Sequence, residues 1–206
     1  MEGRGGNDWL DGGEGIDQAV FEGRRADYEI SESSQGRLQV NDQRIFIQQL
    51  GADQGDGEDT LVSVERLVFS DVTVALDLDG VGGQAYRIYK AAFDREPDSG
   101  GLGYWIAQMD NGMDMVEVAA RFIDSNEFRT LYGDNPTNGE FLTKVYNNVL
   151  DRDPDAGGYA WWIDQLENNP EKTWQKVLAD FSESAENREN VINLTSNGIA
   201  FEPWLG

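Results

Sequence analysis

Carboxylates and glycines recur together near the start of the chain. GRGGNDWLD (Gly3 to Asp11) is followed at once by GGEGIDQAV (Gly12 to Val20), two nine-residue units. In each, a glycine-rich half precedes an aspartate, and an aliphatic residue follows two places later: Asp8 then Leu10, Asp17 then Ala19. Glycine lets the backbone turn through positive φ and point its carbonyl oxygens inward. Aspartate adds a carboxylate. Hard oxygen donors of both kinds, held close together, are what Ca²⁺ takes as ligands. Gly6, Asp8, Asp11, Gly12, Gly15 and Asp17 are therefore candidate calcium ligands, and each aliphatic residue belongs to a short strand that stacks into a core. The plain alternative is a flexible Gly/Asp linker.

The pattern resembles the RTX, or haemolysin-type, nonapeptide GGxGxDxUx. The second unit matches with Ala19 in the aliphatic place; the first departs once, with Arg4 where the second glycine belongs. In that family ions sit between turns two units apart on one edge of a β-roll. The resemblance implies that Asp27, in RRADYEI, completes the site begun by Asp8. Two units make one coil of a roll, too few to stand alone. The later phrase GEDTLVSVERLVFSD resembles the segment that follows the last repeat in such exoproteins.

Composition narrows the chemistry. The 206 residues carry 39 Asp plus Glu against 16 Lys plus Arg, a net charge of −23. Such a surface repels nucleic acid and anionic lipid and suits cations. With no histidine and no cysteine, Ser-His-Asp and Cys-His catalysis are excluded, and zinc, haem and thiol chemistry lose their usual ligands. Only a carboxylate pair remains for catalysis, and none stands out in an apolar setting; the expectation is a protein that is not an enzyme. No apolar run approaches the roughly 20 residues of a membrane span, so no membrane insertion is expected. Met1 leads almost directly into a repeat unit with no secretory leader pattern, as expected of a piece of a larger parent chain.

The elements that must hold these ligands change character along the chain. Alternating segments (ADYEIS, RLQVND, RIFIQQ, DTLVSVERLVF, VTVALDLDG) separated by acidic glycine turns predict a small antiparallel sheet continuing the roll over residues 19–79. Asp53, Asp56 and Asp59, in GADQGDGEDT, form a second candidate ion site, although acidic loops are usually only solvated. Arg66, between Glu65 and Asp71, reads as a structural ion pair.

From Gly80 the period becomes helical and the chain repeats itself. DREPDSGG (Asp94 to Gly101) returns as DRDPDAGG (Asp151 to Gly158), 57 residues later. Around these anchors, apolar residues at helical spacing predict three helices per copy. The loops admit two readings. One is an EF-hand-like site using Asp94, Glu96 and Asp98, or Asp151, Asp153 and Asp155, at alternate positions; but Trp105 and Trp162 stand where a bidentate glutamate closes such a loop. The other is a helix stop, a proline turn, and Asp98 or Asp155 capping the next helix, with Arg95 and Arg152 reaching nearby carboxylates. The motifs FDREPDSGGLGYW and LDRDPDAGGYAWW resemble a bacterial family known as domain of unknown function 4214, often found beside RTX repeats in large secreted or surface proteins. That family implies no catalytic residue.

The expected fold class is α+β: a short N-terminal β-roll and antiparallel β segment over residues 1–79, then an all-α domain of two duplicated units over 80–206, with repeats at about 83–133 and 139–192. The expected function is that of a non-catalytic, calcium-stabilised module of an extracellular or bacterial cell-surface protein, adhesin or matrix in type. Carbohydrate binding is the alternative, because aromatic faces stack on sugars and Trp161 looks spare for an extracellular glycan.

Overall fold

The computed structural model describes residues 1–44 and 55–206; the strand expected beyond Arg44 and the candidate ligand Asp53 lie outside them. The chain forms two compact units, Met1–Asp77 with Gly198–Pro203, and Leu78–Asn197 with Trp204–Gly206. The α+β class holds.

Among the described residues, the first unit contains two four-stranded sheets. Strands β1 (Trp9–Asp11) and β2 (Gln18–Val20) come from the two nonapeptides. A short 3-10 turn, Arg25–Asp27, leads into the hairpin β3 (Tyr28–Glu32) and β4 (Leu38–Asp42). Then follow β5 (Glu58–Val62), β6 (Arg66–Val68) and β7 (Thr73–Ala75). One sheet has the order β1-β5-β4-β3; the other runs β2-β6-β7 and ends on β8 (Ile199–Phe201), from the far end of the chain. The arrangement is not the single antiparallel sheet expected. β1 pairs with β5, and β2 with β6, in parallel, while the remaining pairs are antiparallel.

Parallel pairing reveals a second coil. β1 and β2 are one turn of a roll; β5 and β6 are the next, with the β3–β4 hairpin inserted between them. The period-two pattern sends one side of each strand inward. Leu10, Val40, Leu61, Ala19, Leu67 and Val74 thus join one buried cluster with Phe21, Tyr28 and Phe69. The three rings meet with centroids 5.1–5.3 Å apart. Each valine, leucine or phenylalanine among them, fully buried, contributes about 1.5–3 kcal/mol.

The second unit holds eight helices in two sets of four: α1 (Val81–Phe93), α2 (Ser99–Asp110), α3 (Met115–Ile123) and α4 (Asn126–Tyr132), then α5 (Asn138–Leu150), α6 (Ala156–Asn168), α7 (Trp174–Ser182) and α8 (Ala185–Thr195). Their shared core includes Ile88, Leu102, Ile106, Phe122, Phe141, Leu142 and Leu178. Arg87, buried on α1, makes a two-pronged ion pair with Glu183 after α7, at 2.7 and 2.8 Å, tying the first copy to the second. At the chain end, Phe201 is buried in the first unit. Trp204 is 53% exposed and meets Tyr104 edge-on.

Candidate metal centre

The roll's turns are built where the sequence places its glycines. Gly6, Gly13 and Gly15 take φ of 107°, 85° and 115°. The pairing of Trp9 with Thr60, an offset of 51, sets Arg4 against Gly55 and Gly6 against Gly57. Arg4 and Gly55 share φ values of 66° and 68°, so the arginine adopts the glycine conformation of its place in the unit. A Cβ on Gly57 would lie 2.3 Å from the Gly6 carbonyl oxygen, which shows how closely the two turns stack.

The same offset brings Asp59 beside Asp8. The Asp8 amide donates to Asp59 Oδ1 at 2.9 Å. Asp59 is only 1% exposed. Burial first, and then the charges of Asp8 and Asp56, push its carboxyl up to about 6, against the bond from the Asp8 amide. Asp8 Oδ2 is buried with no hydrogen-bond partner. A Cβ placed on Gly3 would lie 2.9 Å from Asp8 Oδ2 and 3.0 Å from Asp59 Oδ2. Only a bare glycine leaves room beside these two oxygens. A buried, unpartnered carboxylate oxygen facing a second buried carboxylate fits a hard divalent cation.

The opposite edge of the roll has a related but shorter build. The Asp17 amide donates to Glu65 Oε2 at 2.9 Å. Here the offset falls to 48, from Gln18 to Arg66, so the second coil's turn is three residues shorter than on the Asp8 edge. Ser63 takes the positive-φ place there, at 51°. A Cβ on Gly12 would come within 2.0 Å of the Ser63 carbonyl oxygen.

The remaining candidates have other work. Asp27, expected to face Asp8, accepts the Arg24 amide at 2.9 Å and caps the 3-10 turn. The inserted hairpin displaces the next coil, and Asp59 takes the place beside Asp8 instead. Asp56 is held by the Arg44 guanidinium at 3.1 Å, by the Glu22 amide at 3.1 Å and by the Tyr28 hydroxyl; burial and that last contact raise the Tyr28 phenol well above its ordinary range. Arg44 also grips Asp42, so a protein cation already serves this cluster. Asp11 is exposed at the end of β1. Arg66 is buried and pairs with Asp77, not with the carboxylates beside it in sequence. Among the described residues no three carboxylates converge; an ion at Asp8 and Asp59 would draw its other ligands from turn carbonyls and water.

In the helical unit the two acidic loops are corners. Asp94 and Asp151 end α1 and α5 in the left-handed conformation, at φ 50° and 51°. Asp98 and Asp155 accept the Gly101 and Gly158 amides at 2.7 and 2.9 Å. Those bonds hold both carboxyls below their ordinary range. Arg95 pairs with Glu127, and Arg152 with Glu186, each at 2.7 and 3.1 Å. Glu96 and Asp153 are exposed. Trp161 is 52% exposed and packs edge-on against Trp162.

Sequence reasoning missed the third nonapeptide, QGDGEDTLV (Gln54 to Val62). It keeps Gly55, Gly57, Asp59 and Leu61 at the motif's places, but the stretch between Val20 and Gln54, which includes the β3–β4 hairpin, breaks the nine-residue rhythm. Direct alignment with GGEGIDQAV was the available signal.

Fold and site together define a glycine-turn β-roll carrying a duplicated helical unit with proline corners. The family described as Domain of unknown function (DUF4214) matches residues 85–131 and 119–191, and the chain belongs to it. No curated protein and no solved structure matches the chain. Among the described residues no helix is long and apolar enough to cross a membrane.

Proposed function

We propose that the N-terminal unit is a calcium-stabilised roll of the RTX type, and that the whole chain is a non-catalytic module of a secreted or cell-surface protein, adhesin or matrix in type. The observation that carries the reading is the unpartnered Asp8 Oδ2, buried beside Asp59 across stacked glycine turns. Two carboxylates in that setting repel each other until a cation joins them. Asp8 and Asp59 hold the ion; Gly6 and its counterpart Gly57 keep the turns close enough to share it. Where calcium is scarce the edge is strained by its own charge; where calcium stands at one hundred times Kd, binding adds about 2.7 kcal/mol. For a small unit that is a large fraction of total stability. Calorimetry of the intact chain with Ca²⁺ and with EDTA tests this. A rise of about 10 °C in the roll's transition is expected, and superimposable traces would refute the reading.

Carbohydrate binding is the second reading, favoured by the exposure of Trp161 on α6. Quenching of tryptophan emission by oligosaccharides, lost in Trp161→Ala, tests it.

A further inference from the structure

We propose that Asn197, in the Asn197–Gly198 step that leads from α8 into β8, is a site of spontaneous deamidation, and that its isoaspartyl product loosens the pairing of β8 with β7. This chemistry lies beyond the calcium reading and needs no bound ion.

The chain contains three Asn-Gly steps: Asn111–Gly112, Asn138–Gly139 and Asn197–Gly198. Glycine has no side chain to shield its amide. In such a step the glycine nitrogen attacks the asparagine side-chain carbonyl carbon. A new C–N bond forms, and the bond from that carbon to the side-chain nitrogen breaks. Ammonia leaves with the proton of the glycine amide. The cyclic imide then takes up one water. Opening at the side-chain carbonyl gives aspartate. Opening at the main-chain carbonyl gives isoaspartate, whose backbone is longer by one methylene. Water is the only co-reactant, and nothing is oxidised or reduced.

The fold separates the three steps. Attack requires the side chain to swing onto the following amide in a near-attack geometry. A helical side chain leans toward the helix N-terminus, away from that amide. Asn138 is the first residue of α5, and its Oδ1 accepts the Trp174 indole N–H at 2.8 Å. Asn111 ends α2 with its side-chain amide donating back to the Ala107 carbonyl at 2.7 Å. The Gly112 amide is itself engaged, donating to the Met109 carbonyl at 2.9 Å. Asn197 lies past the end of α8, which stops at Thr195, and is exposed. Among the described residues, neither its side chain nor the Gly198 amide has a hydrogen-bond partner.

The residues after Asn197 give the product its effect. Gly198 turns the chain at φ 84°. A Cβ there would lie 2.5 Å from Val74 Cγ1 and 3.2 Å from the Ala75 carbonyl oxygen, so the backbone runs hard against β7. Ile199, Ala200 and Phe201 then pair with Ala75, Val74 and Thr73, and Ile199 and Phe201 are buried. An added backbone methylene just ahead of so close a contact pushes the strand from its place.

The intact chain is incubated in mildly alkaline buffer beside a guanidinium-unfolded sample, and each Asn-Gly peptide is scored for aspartate and isoaspartate by mass spectrometry. Asn197 is expected to react within about threefold of its unfolded rate, and Asn111 and Asn138 to be slowed about a hundredfold, the cost of lost alignment. Equal protection of all three, or faster reaction at Asn111 or Asn138, overturns the assignment. The isoaspartyl chain is then isolated and compared with Asn197→Asp, which carries the charge without the methylene. Amide hydrogen exchange across Thr73–Ala75 and Ile199–Phe201 is expected to quicken about tenfold in the isoaspartyl chain alone. Exchange equal to that of the Asn197→Asp variant overturns the loosening of β8.

Discussion

Asp59 stands beside Asp8 although 51 residues separate them, and its carboxylate accepts the Asp8 amide at 2.9 Å. Neutralising one member separates charge repulsion from ion binding. In EDTA at neutral pH, Asp59→Asn is expected to stabilise the roll by about 1 kcal/mol or more, because a buried charge is removed. The same variant is expected to lose the calcium-induced rise in melting temperature. Calorimetry of the variant beside the parent, with and without Ca²⁺, measures both effects. A variant that keeps the full calcium shift would remove Asp59 from the site.

Two adjacent glycines give a sharper test of coil stacking. Gly12→Ala forces a Cβ to within 2.0 Å of the Ser63 carbonyl oxygen, a backbone clash that no side-chain motion relieves. Gly13 has φ 85° but open space around its Cβ direction, so Gly13→Ala carries only the left-handed strain of about 1–2 kcal/mol. Denaturant unfolding of the roll is expected to rank Gly12→Ala as the more damaging by at least about 2 kcal/mol.

The helical corners predict matched effects in the two copies. Arg95→Met and Arg152→Met each remove a two-pronged but partly exposed ion pair, at an expected cost of about 1 kcal/mol apiece. The double variant is expected to show the sum, since the sites share no partner. Arg87→Met is different. It takes the buried arginine away from Glu183, which keeps Arg188 at 2.7 Å, and a loss of about 1.5–3 kcal/mol is expected. Urea titrations followed by far-ultraviolet circular dichroism compare the three.

Acid separates the two units in opposite directions. The folded-state pKa of Asp59 is raised to about 6, so its contribution to stability is full below the ordinary value of 3.8 and is lost as pH rises through 6. In EDTA the roll is therefore expected to weaken between pH 4 and 6. Asp98 and Asp155, held low by the Gly101 and Gly158 amides, and Glu186, held low by Arg152, act with the opposite sign. Their contribution is present above the ordinary carboxyl range and is lost as pH falls through their depressed values. Exchange at the Leu10 and Ala19 amides follows the roll, and circular dichroism follows the helices.

The helical unit was legible because its information is local and stated twice. Both proline corners, their capping aspartates and their arginines stand at a constant offset, and each motif folds against neighbours close in sequence. The roll was half legible. Its first coil follows the nine-residue rhythm, but the inserted hairpin moves the second coil from the expected offset of 18 to 51, so Asp59 rather than Asp27 stands beside Asp8. Parallel pairing between distant three-residue strands leaves no periodicity to detect. β8 was invisible for the same reason: Ile-Ala-Phe is too short to signal a strand, and its partner Val74 lies more than a hundred residues away.

That last pairing has a consequence for how the polypeptide matures. The sheet β2-β6-β7 precedes the helices in the chain, yet it closes on Ile199–Phe201, which is made only after all eight helices have been synthesised. Helices completed on the ribosome can pack as they emerge, while β7 waits with one side of its backbone unsatisfied. The unit that is begun before the helices is thus completed only after them.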